Sequence, residues 1–280
     1  MCVRALVGYK EIKFKKSGLS DGEKEARRKN VYIAQSIILF LIDVALRLSQ
    51  LKSYNLIFLR GLPKRTVCAK IGLISEGIMR IVFFGDSITD CGRDRNNIKS
   101  LGNGYVKILS DKLRPIYPDT DIELINKGVS GNEVSDLLAR VDSDVIALKP
   151  DAVVIMIGIN NTIHEFKIDK KLDLRQFEND LKELLKRIKK EGIAVIFLEP
   201  FLLPAPDKLR MRKLFNEELA IINRVALKNA DEFVAYDEMF NGLCERLPYS
   251  EYSLDGVHPT HRGSRLIADQ AIKAIRKHLL

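Results

Sequence analysis

The stretch MRIVFFGDSITDCGR, residues 79–93, joins a run of apolar residues to a Gly-Asp-Ser turn. Residues 81–84 are all apolar, which is typical of a strand buried on both faces of a sheet. Gly85 permits a sharp turn, after which a helix can begin with free backbone N–H groups. Ser87 would then lie at the sheet edge, either as a nucleophile or as the N-cap of that helix. The stretch alone leaves both interpretations open.

Apolar runs of strand length recur along the chain. They cover residues 80–84, 122–126, 152–158, 194–200 and 233–237. Stretches with helical periodicity lie between or after them, at residues 104–115, 133–147, 174–190, 208–229 and 261–279. This alternation of strands and helices predicts an α/β fold, with a parallel sheet covered by helices on both faces.

Two segments that follow predicted strands could supply hydrogen-bond donors at the edge of the sheet where ligands bind. In NKGVSGN, residues 126–132, Gly131 would let the backbone approach a ligand closely. In GINNT, residues 158–162, Asn160 would present its amide from a strand end. Each segment also has an ordinary interpretation, a strand-to-helix loop for the first and an Asx-turn for the second.

A fourth segment, LDGVHPTHRG at residues 254–263, pairs Asp255 with His258 just before the last predicted helix. A short turn can bring the carboxylate to one imidazole nitrogen while the other nitrogen faces Ser87. One nucleophile, one base, one orienting acid and several donors together form a complete acyl-transfer site.

The chain has four histidines, so few residues compete with His258 for the role of base. We predict that His261 is a surface or capping residue at the start of the last helix, since no acid lies three residues before it. His164 could line the pocket, but a place in a loop is the favoured interpretation.

Over about residues 79–280 the chain resembles the SGNH (GDSL) hydrolase superfamily. The matching positions are Ser87 with the supporting Gly85 and Asp86, then Gly131, Asn160, Asp255 and His258. The resemblance implies a flavodoxin-like three-layer α/β/α sandwich with five parallel strands.

The resemblance also implies a role for each position. Ser87 would be the nucleophile, His258 the base and Asp255 the residue that orients the base. The amides of Ser87 and Gly131 and the side chain of Asn160 would form the oxyanion hole. No metal and no cofactor would be required.

The strings LGNGYV, DLLAR and DVIALKPD further resemble the branch of acetyl xylan esterases and lysophospholipase L1-like esterases. Members commonly have Asp where this chain has Asn161, and xylan-branch members often have Trp where it has Val141 and Thr162-Ile163. The chain has no Trp at all. Because sugar rings stack on aromatic faces, the residues favour esterase chemistry more strongly than a carbohydrate substrate.

The net charge of +9 is confined to residues 1–79, which hold 15 Lys/Arg and 6 Asp/Glu. Residues 80–280 hold 31 residues of each sign, so the net charge of the chain says nothing about what these residues bind. The basic segment shows no nucleic-acid reading motif, and we predict no nucleic-acid partner.

Residues 1–78 are predicted to be a poorly ordered or helical extension of a domain that spans residues 79–280. The apolar stretch 31–46 is shorter than a membrane-spanning helix, and no signal peptide is evident. A helix packed on the body is favoured, and an interfacial anchor that makes the protein peripheral to the membrane is the lesser alternative. We predict, however, that the functional protein starts at Met79, because the motifs begin there and the charge imbalance ends there.

The four cysteines form no CxxC pair and have no histidine at zinc-like spacing. They are Cys2, Cys68, Cys91 and Cys244. We interpret them as reduced thiols of a cytoplasmic protein.

We therefore predict a serine esterase that hydrolyses small acyl esters, with acetyl favoured and carbohydrate esters among the substrates considered. A lysophospholipase or thioesterase with a longer acyl chain is the alternative that uses the same residues. A non-catalytic binding module belongs to another class, and the complete set of catalytic residue types argues against it. A homo-oligomer is compatible with each prediction.

Overall fold

The computed structural model describes residues 78–118, 120–168 and 173–279. These residues belong to one compact unit. The predictions for residues 1–77, including those for the apolar stretch 31–46, lie outside the described residues.

Strands and helices alternate along the described residues. The strands are β1 (Met79–Gly85), β2 (Ile122–Gly128), β3 (Ala152–Met156), β4 (Ala194–Leu198) and β5 (Glu232–Val234). The helices are α1 (Ser87–Asp90), α2 (Tyr105–Leu113), α3 (Val134–Asp144), α4 (Ile159–Ile168), α5 (Leu174–Lys190), α6 (Arg212–Asn229), α7 (Asp237–Cys244) and α8 (His261–Leu279). Short 3₁₀ turns cover Ile146–Leu148, Leu209–Met211 and Tyr249–Glu251.

The five strands form one sheet in the order β2-β1-β3-β4-β5, and every neighbouring pair is parallel. This is the strand order of flavodoxin-like folds, in which ligands bind at the carboxyl ends of the strands. At that edge Gly85 of β1 is paired with Gly128 of β2 and Met156 of β3. The predicted fold class is confirmed.

Two hydrophobic clusters, one on each face of the sheet, explain why the strands are continuously apolar. Ile81 and Phe83 of β1 pack with residues of α2, α7 and α8. Val82 and Phe84 point the other way and pack with residues of α3, α5 and α6. Because successive strand residues face opposite sides, a sheet covered on both faces needs an apolar residue at every position.

The helices carry the amphipathic pattern expected of elements that cover a sheet. In α5 the buried residues recur at helical spacing, and Asp173 caps the helix by accepting hydrogen bonds from the backbone N–H groups of Arg175 and Gln176. In the part of the chain that the structure describes, no helix is both long enough and apolar enough to cross a membrane.

The third strand was predicted over residues 152–158, with Asn160 at the strand end, and here the structure differs. The strand ends at Met156, and Asn160 lies in the first turn of α4, which begins at Ile159. Gly158, with φ at +133°, makes the change of direction between the two elements. The segment therefore reaches the sheet edge as a helix start.

The predicted fifth strand is also shorter than its apolar run. The backbone N–H groups of Tyr236 and Asp237 donate to Oε2 of buried Glu199, at 2.7 and 2.9 Å, instead of continuing a ladder. Asp237 then begins α7. In the same way, the stretch predicted as a helix from residue 208 opens with a 3₁₀ turn before α6.

Candidate active site

Ser87 lies at the carboxyl edge of the sheet, two residues after the end of β1. A Cβ on Gly85 would lie 2.4 Å from the carbonyl oxygen of Met156, so only glycine fits there. Asp86 is the N-cap of α1, and its Oδ1 accepts a hydrogen bond from the Ile88 N–H at 3.0 Å. Ser87 is thus the first helical residue and not the cap, which leaves its hydroxyl for another partner.

That partner is a histidine 171 residues away in sequence. Ser87 Oγ lies 2.9 Å from His258 Nε2, and His258 Nδ1 lies 2.7 Å from Asp255 Oδ2. If Nδ1 carries the proton and donates to the carboxylate, Nε2 is the acceptor for the serine hydroxyl. The structure thus brings together the three residues that were predicted from the sequence to be nucleophile, base and orienting acid.

The backbone around Asp255 holds its carboxylate in place. Asp255 Oδ1 accepts hydrogen bonds from the N–H groups of Val257 and His258, at 2.9 and 2.7 Å, and lies 3.1 Å from the Ser253 hydroxyl. Burial alone would raise the pKa of Asp255, but hydrogen bonds from the His258 side chain and these amides lower it to about 2. The group beside the imidazole is therefore a carboxylate at neutral pH.

Asp86 contributes a second carboxyl group behind the serine. Its side chain is fully buried, and within the described residues Oδ2 has no hydrogen-bond partner. Burial raises the pKa of Asp86 to about 6, although the Ile88 N–H and the nearby charge of His258 lower it. A buried acid at this position lies beyond what the Gly-Asp-Ser tripeptide alone can predict.

The two remaining predicted donors, Gly131 and Asn160, lie on neighbouring segments. Asn160 Nδ2 donates to the carbonyl oxygen of Asn132 at 3.0 Å, which places α4 against the residue after Gly131. A carboxamide nitrogen carries two hydrogens, so a second one remains for a ligand. Gly131 has φ at +86° and open space where a Cβ would project, consistent with a backbone amide that a ligand can approach.

Asp90 of α1 holds the 129–132 loop, and Asn126 of β2 contacts α1; neither residue was given a role from sequence. Ser130 donates to Asp90 Oδ2 from both its N–H and its hydroxyl, at 3.1 and 2.9 Å. Burial raises the pKa of Asp90, but hydrogen bonds from Arg95 and Ser130 outweigh it and leave the pKa lowered. Buried Asn126 donates to the carbonyl oxygen of Thr89 at 2.7 Å.

The chain is similar in sequence to known hydrolases across this region. The sequence model of the GDSL-like Lipase/Acylhydrolase family matches residues 83–266. This chain belongs to that family. The acetylxylan esterase of Geobacillus stearothermophilus is 34% identical over 204 residues, which are 70% of this chain and 93% of that protein. The chain is therefore a carboxylic ester hydrolase.

Solved structures of the family share the fold. A GDSL-like lipase from Parabacteroides merdae has a TM-score of 0.65 at 32% identity, over 70% of this chain and 94% of that chain. The acetylxylan esterase of Geobacillus stearothermophilus has a TM-score of 0.64 at 33% identity, over 72% of this chain and 94% of that chain. Variants of that esterase described as catalytic mutants replace a serine, an aspartate and a histidine, with the aspartate three residues before the histidine.

In this GDSL-like acylhydrolase, His164 and His261 lie apart from the Ser87–His258 pair. His164 was predicted to lie in a loop, but it is a residue of α4. Its Nδ1 lies 2.5 Å from Glu133 Oε1. Asn161 joins the same group, because its Nδ2 donates to Glu133 Oε2 at 3.4 Å. His261 is exposed at the first position of α8, as predicted.

Behind α4 the acylhydrolase buries a further carboxyl group, on α6. Glu218 is completely buried, and neither of its carboxyl oxygens has a hydrogen-bond partner among the described residues. Thr162 of α4 is also buried beside Glu218, although its hydroxyl lies outside normal hydrogen-bond geometry among the described residues. Burial raises the pKa of Glu218 to about 8; Thr162 opposes this rise, and the charges of Glu165 and Glu133 add to it. Glu218 is therefore mostly protonated at neutral pH.

The described residues contain no cluster of metal ligands. Among residues 78–118, 120–168 and 173–279, no three His, Cys, Asp or Glu side chains are grouped so that they could hold a metal ion. Cys91 and Cys244 are free thiols whose pKa values are raised by burial, which disfavours the reactive thiolate.

Proposed function

We propose that this protein is a serine esterase that removes a small acyl group, with acetyl as the preferred one, through an acyl-enzyme. The observation that carries the proposal is the pair of hydrogen bonds that joins Ser87 Oγ to His258 Nε2 and His258 Nδ1 to Asp255 Oδ2, at 2.9 and 2.7 Å. This arrangement of nucleophile, base and orienting acid is the one that acyl transfer uses on several unrelated folds.

Acylation begins when Ser87 Oγ attacks the ester carbonyl carbon while His258 Nε2 takes the hydroxyl proton. The carbonyl electron pair moves onto oxygen and gives a tetrahedral oxyanion. As the intermediate collapses, the C–O bond to the alcohol breaks and His258 returns the proton to the departing oxygen. Asp255, which remains ionised, stabilises the imidazolium that forms between the two proton transfers.

Deacylation repeats these steps with water as the nucleophile. His258 Nε2 accepts a proton from water as its oxygen attacks the acyl-enzyme carbonyl. As the second tetrahedral intermediate collapses, the bond from its carbon to Ser87 Oγ breaks, the carboxylic acid leaves, and His258 gives its proton to Ser87 Oγ. The net reaction consumes one water and one ester and yields one alcohol and one acid.

We assign the oxyanion hole to the backbone amides of Ser87 and Gly131 and to the side chain of Asn160. The first position of α1 offers the Ser87 amide, the open surface at Gly131 supports a second donor, and the remaining Asn160 hydrogen supports a third. Donors fixed in advance stabilise the charge that develops on oxygen in the transition state.

The preference for acetyl rests on the acetylxylan esterase, of which this chain covers 93% at 34% identity. One structure of that esterase carries a Trp-to-Ile substitution directly before the aspartate of its catalytic mutant. The residue directly before Asp255 here is Leu254, which is 77% exposed. A sugar ring cannot stack on leucine as it does on tryptophan. The comparison therefore supports an acetyl group as the acyl part of the substrate more strongly than it supports a sugar as the alcohol part.

The proposal is tested with p-nitrophenyl acetate and the Ser87→Ala variant. We expect the variant to lose nearly all of kcat, while Ser143→Ala, which alters an exposed serine of α3, retains the parent rate. A Ser87→Ala protein as active as the parent would overturn the assignment. A p-nitrophenyl ester series from acetate to palmitate then tests the acyl group, since a long-chain optimum in kcat/KM favours a lysophospholipase or thioesterase instead.

A further inference from the structure

We infer that Arg140, on α3, is a positioning residue that fixes the oxyanion hole. The inference rests on the function proposed above. It concerns the 129–132 loop, which carries Gly131, and the strand ends on both sides of that loop.

The guanidinium of Arg140 makes four hydrogen bonds. Nε donates to the side-chain oxygen of Asn132 at 2.8 Å, and Nη2 donates to the carbonyl oxygen of Gly85 at 3.1 Å. Nη1 donates to the carbonyl oxygen of Lys127 at 2.9 Å and to Asp144 Oδ2 at 2.7 Å. Three of the four acceptors belong to the segments that build the site, and the fourth supplies the counter-charge.

These acceptors occupy defined places around the reacting serine. Gly85 ends β1, two residues before Ser87, and its carbonyl also accepts from the Val129 N–H at 3.0 Å. Lys127 is the penultimate residue of β2. Asn132 follows Gly131 and accepts the hydrogen bond from Asn160 Nδ2. A single side chain thus connects the nucleophile turn, the end of β2 and the residue between the two predicted donors.

The surroundings of Arg140 favour one fixed geometry. Its side chain is 17% exposed, and its guanidinium carbon lies 4.3 Å from the centre of the Phe84 ring. Asp144 also contacts the Lys127 ammonium at 3.2 Å. A planar fork with several fixed donors can reach separate acceptors at once, which a lysine ammonium on a flexible stem does less well.

Arg140 acts through other residues and not on the substrate. Among the described residues, none of its hydrogen bonds goes to Ser87, His258 or Asp255. Its loss would let the 129–132 loop shift and would move the Gly131 amide and the support of Asn160. Since oxyanion donors act mainly in the transition state, such a shift lowers kcat and leaves KM nearly unchanged.

The test measures kcat and KM for p-nitrophenyl acetate in Arg140→Met, Arg140→Lys and the matched control Arg187→Met. Arg187, on α5, also pairs with an acid, Asp142, and donates to a carbonyl oxygen, that of Leu138, but away from the site. We expect kcat to fall about 10- to 100-fold in Arg140→Met with KM within about 2-fold, because a 1 Å misplacement can cost about 10² in rate. The kcat of Arg140→Lys should lie between those of the parent and Arg140→Met, and the kcat of Arg187→Met should equal that of the parent.

Asn132→Ala keeps the inference testable if Arg140→Met does not fold. It removes only the side-chain acceptor, and we expect a smaller loss of kcat, again with KM unchanged. A folded Arg140 variant and an Asn132→Ala variant that both retain the parent kcat would overturn the inference.

A double variant separates positioning from a general loss of structure. If Arg140 acts through the oxyanion hole, Arg140→Met should lower kcat by a clearly smaller factor in the Asn160→Ala background than in the parent. The same fold-loss of kcat in both backgrounds would contradict the inference. Failure of the proposed function would look different, because Ser87→Ala would then retain the parent activity whatever Arg140 does.

Discussion

Ser87 Oγ and His258 Nε2 lie 2.9 Å apart although 171 residues separate them in sequence. Ser87 is fixed by the turn after β1, whereas His258 belongs to the loop before α8. The loop of His258 is joined to the segment after β4, because the Leu203 N–H donates to the Gly256 carbonyl at 2.8 Å. The contact between Ser87 and His258 therefore depends on how the segment after β4 and the loop before α8 pack against the sheet. The contributions of individual residues to the site can be tested separately.

Replacing Asp255 by asparagine should lower kcat by about 10⁴, because an amide in that place no longer favours the tautomer in which Nε2 accepts the serine proton. Steady-state kinetics with p-nitrophenyl acetate measure the loss. The control is Asp111→Asn, which changes an exposed acid paired with Lys107 on α2. Equal rates for Asp255→Asn and the control would contradict the role of Asp255.

Removing the side-chain donor in Asn160→Ala should lower kcat by about 10²–10³ with little effect on KM. Asn241→Ala is a suitable control, since it removes another partly buried asparagine that also donates to a backbone carbonyl, that of Asp237. An Asn160→Ala enzyme in which KM rises and kcat is unchanged would show that Asn160 binds the ground state instead.

Gly85→Ala should destabilise the fold by about 3 kcal/mol or more, because the added Cβ would meet the Met156 carbonyl oxygen at 2.4 Å. Urea denaturation followed by circular dichroism measures the free energy of unfolding. Gly242→Ala on α7 is the matched control, since its Cβ would meet nothing within 4 Å and alanine favours a helix. Similar stabilities of the two variants would be incompatible with the close pairing of β1 and β3.

Glu218 should make the protein less stable as pH rises. The buried carboxyl has a pKa of about 8, against 4.5 for the unfolded group, so the native state retains a proton that the unfolded state releases. Its contribution is therefore fully favourable below about pH 4.5 and is lost progressively up to about pH 8, by at most roughly 1.4 kcal/mol per pH unit. Glu218→Gln should flatten this dependence, as measured by melting temperatures between pH 5 and 9.

The control for this pH effect is Glu217→Gln, one residue earlier on α6, which changes an exposed carboxyl group. It should retain the slope of the parent. The same slope in Glu218→Gln would show that the buried carboxyl does not set the pH dependence of stability.

The parts of the site that lie at strand ends were predictable from the sequence. Apolar runs mark the strands, and parallel strands bring their carboxyl ends to one edge, so Ser87 and the NKGVSGN loop could be placed together. The spacing of Asp255 and His258 likewise suits a short turn, which the two backbone hydrogen bonds to Asp255 Oδ1 now describe.

The features that were not predictable depend on packing between segments that are distant in sequence. Asn160 lies in the first turn of a helix because Gly158 turns the chain, and β5 ends early because the Tyr236 and Asp237 N–H groups donate to Glu199. The burial of Glu218 and the contacts of Arg140 depend on neighbours that no local pattern identifies. Polar residues inside helices are usually solvent-exposed, so these two carry no distinguishing signal in sequence.

The order in which Ser87 and His258 occur along the chain has a consequence during synthesis. At about 5–20 residues per second, the ribosome adds His258 roughly 10–30 s after Ser87. Throughout this interval the nascent chain carries Ser87 without His258, so under the proposed mechanism hydrolysis cannot begin until the last strand and the Asp255 loop have been made. The proposed mechanism therefore predicts that ester hydrolysis starts only once this part of the chain is complete, and that a chain cut short before His258 is inactive.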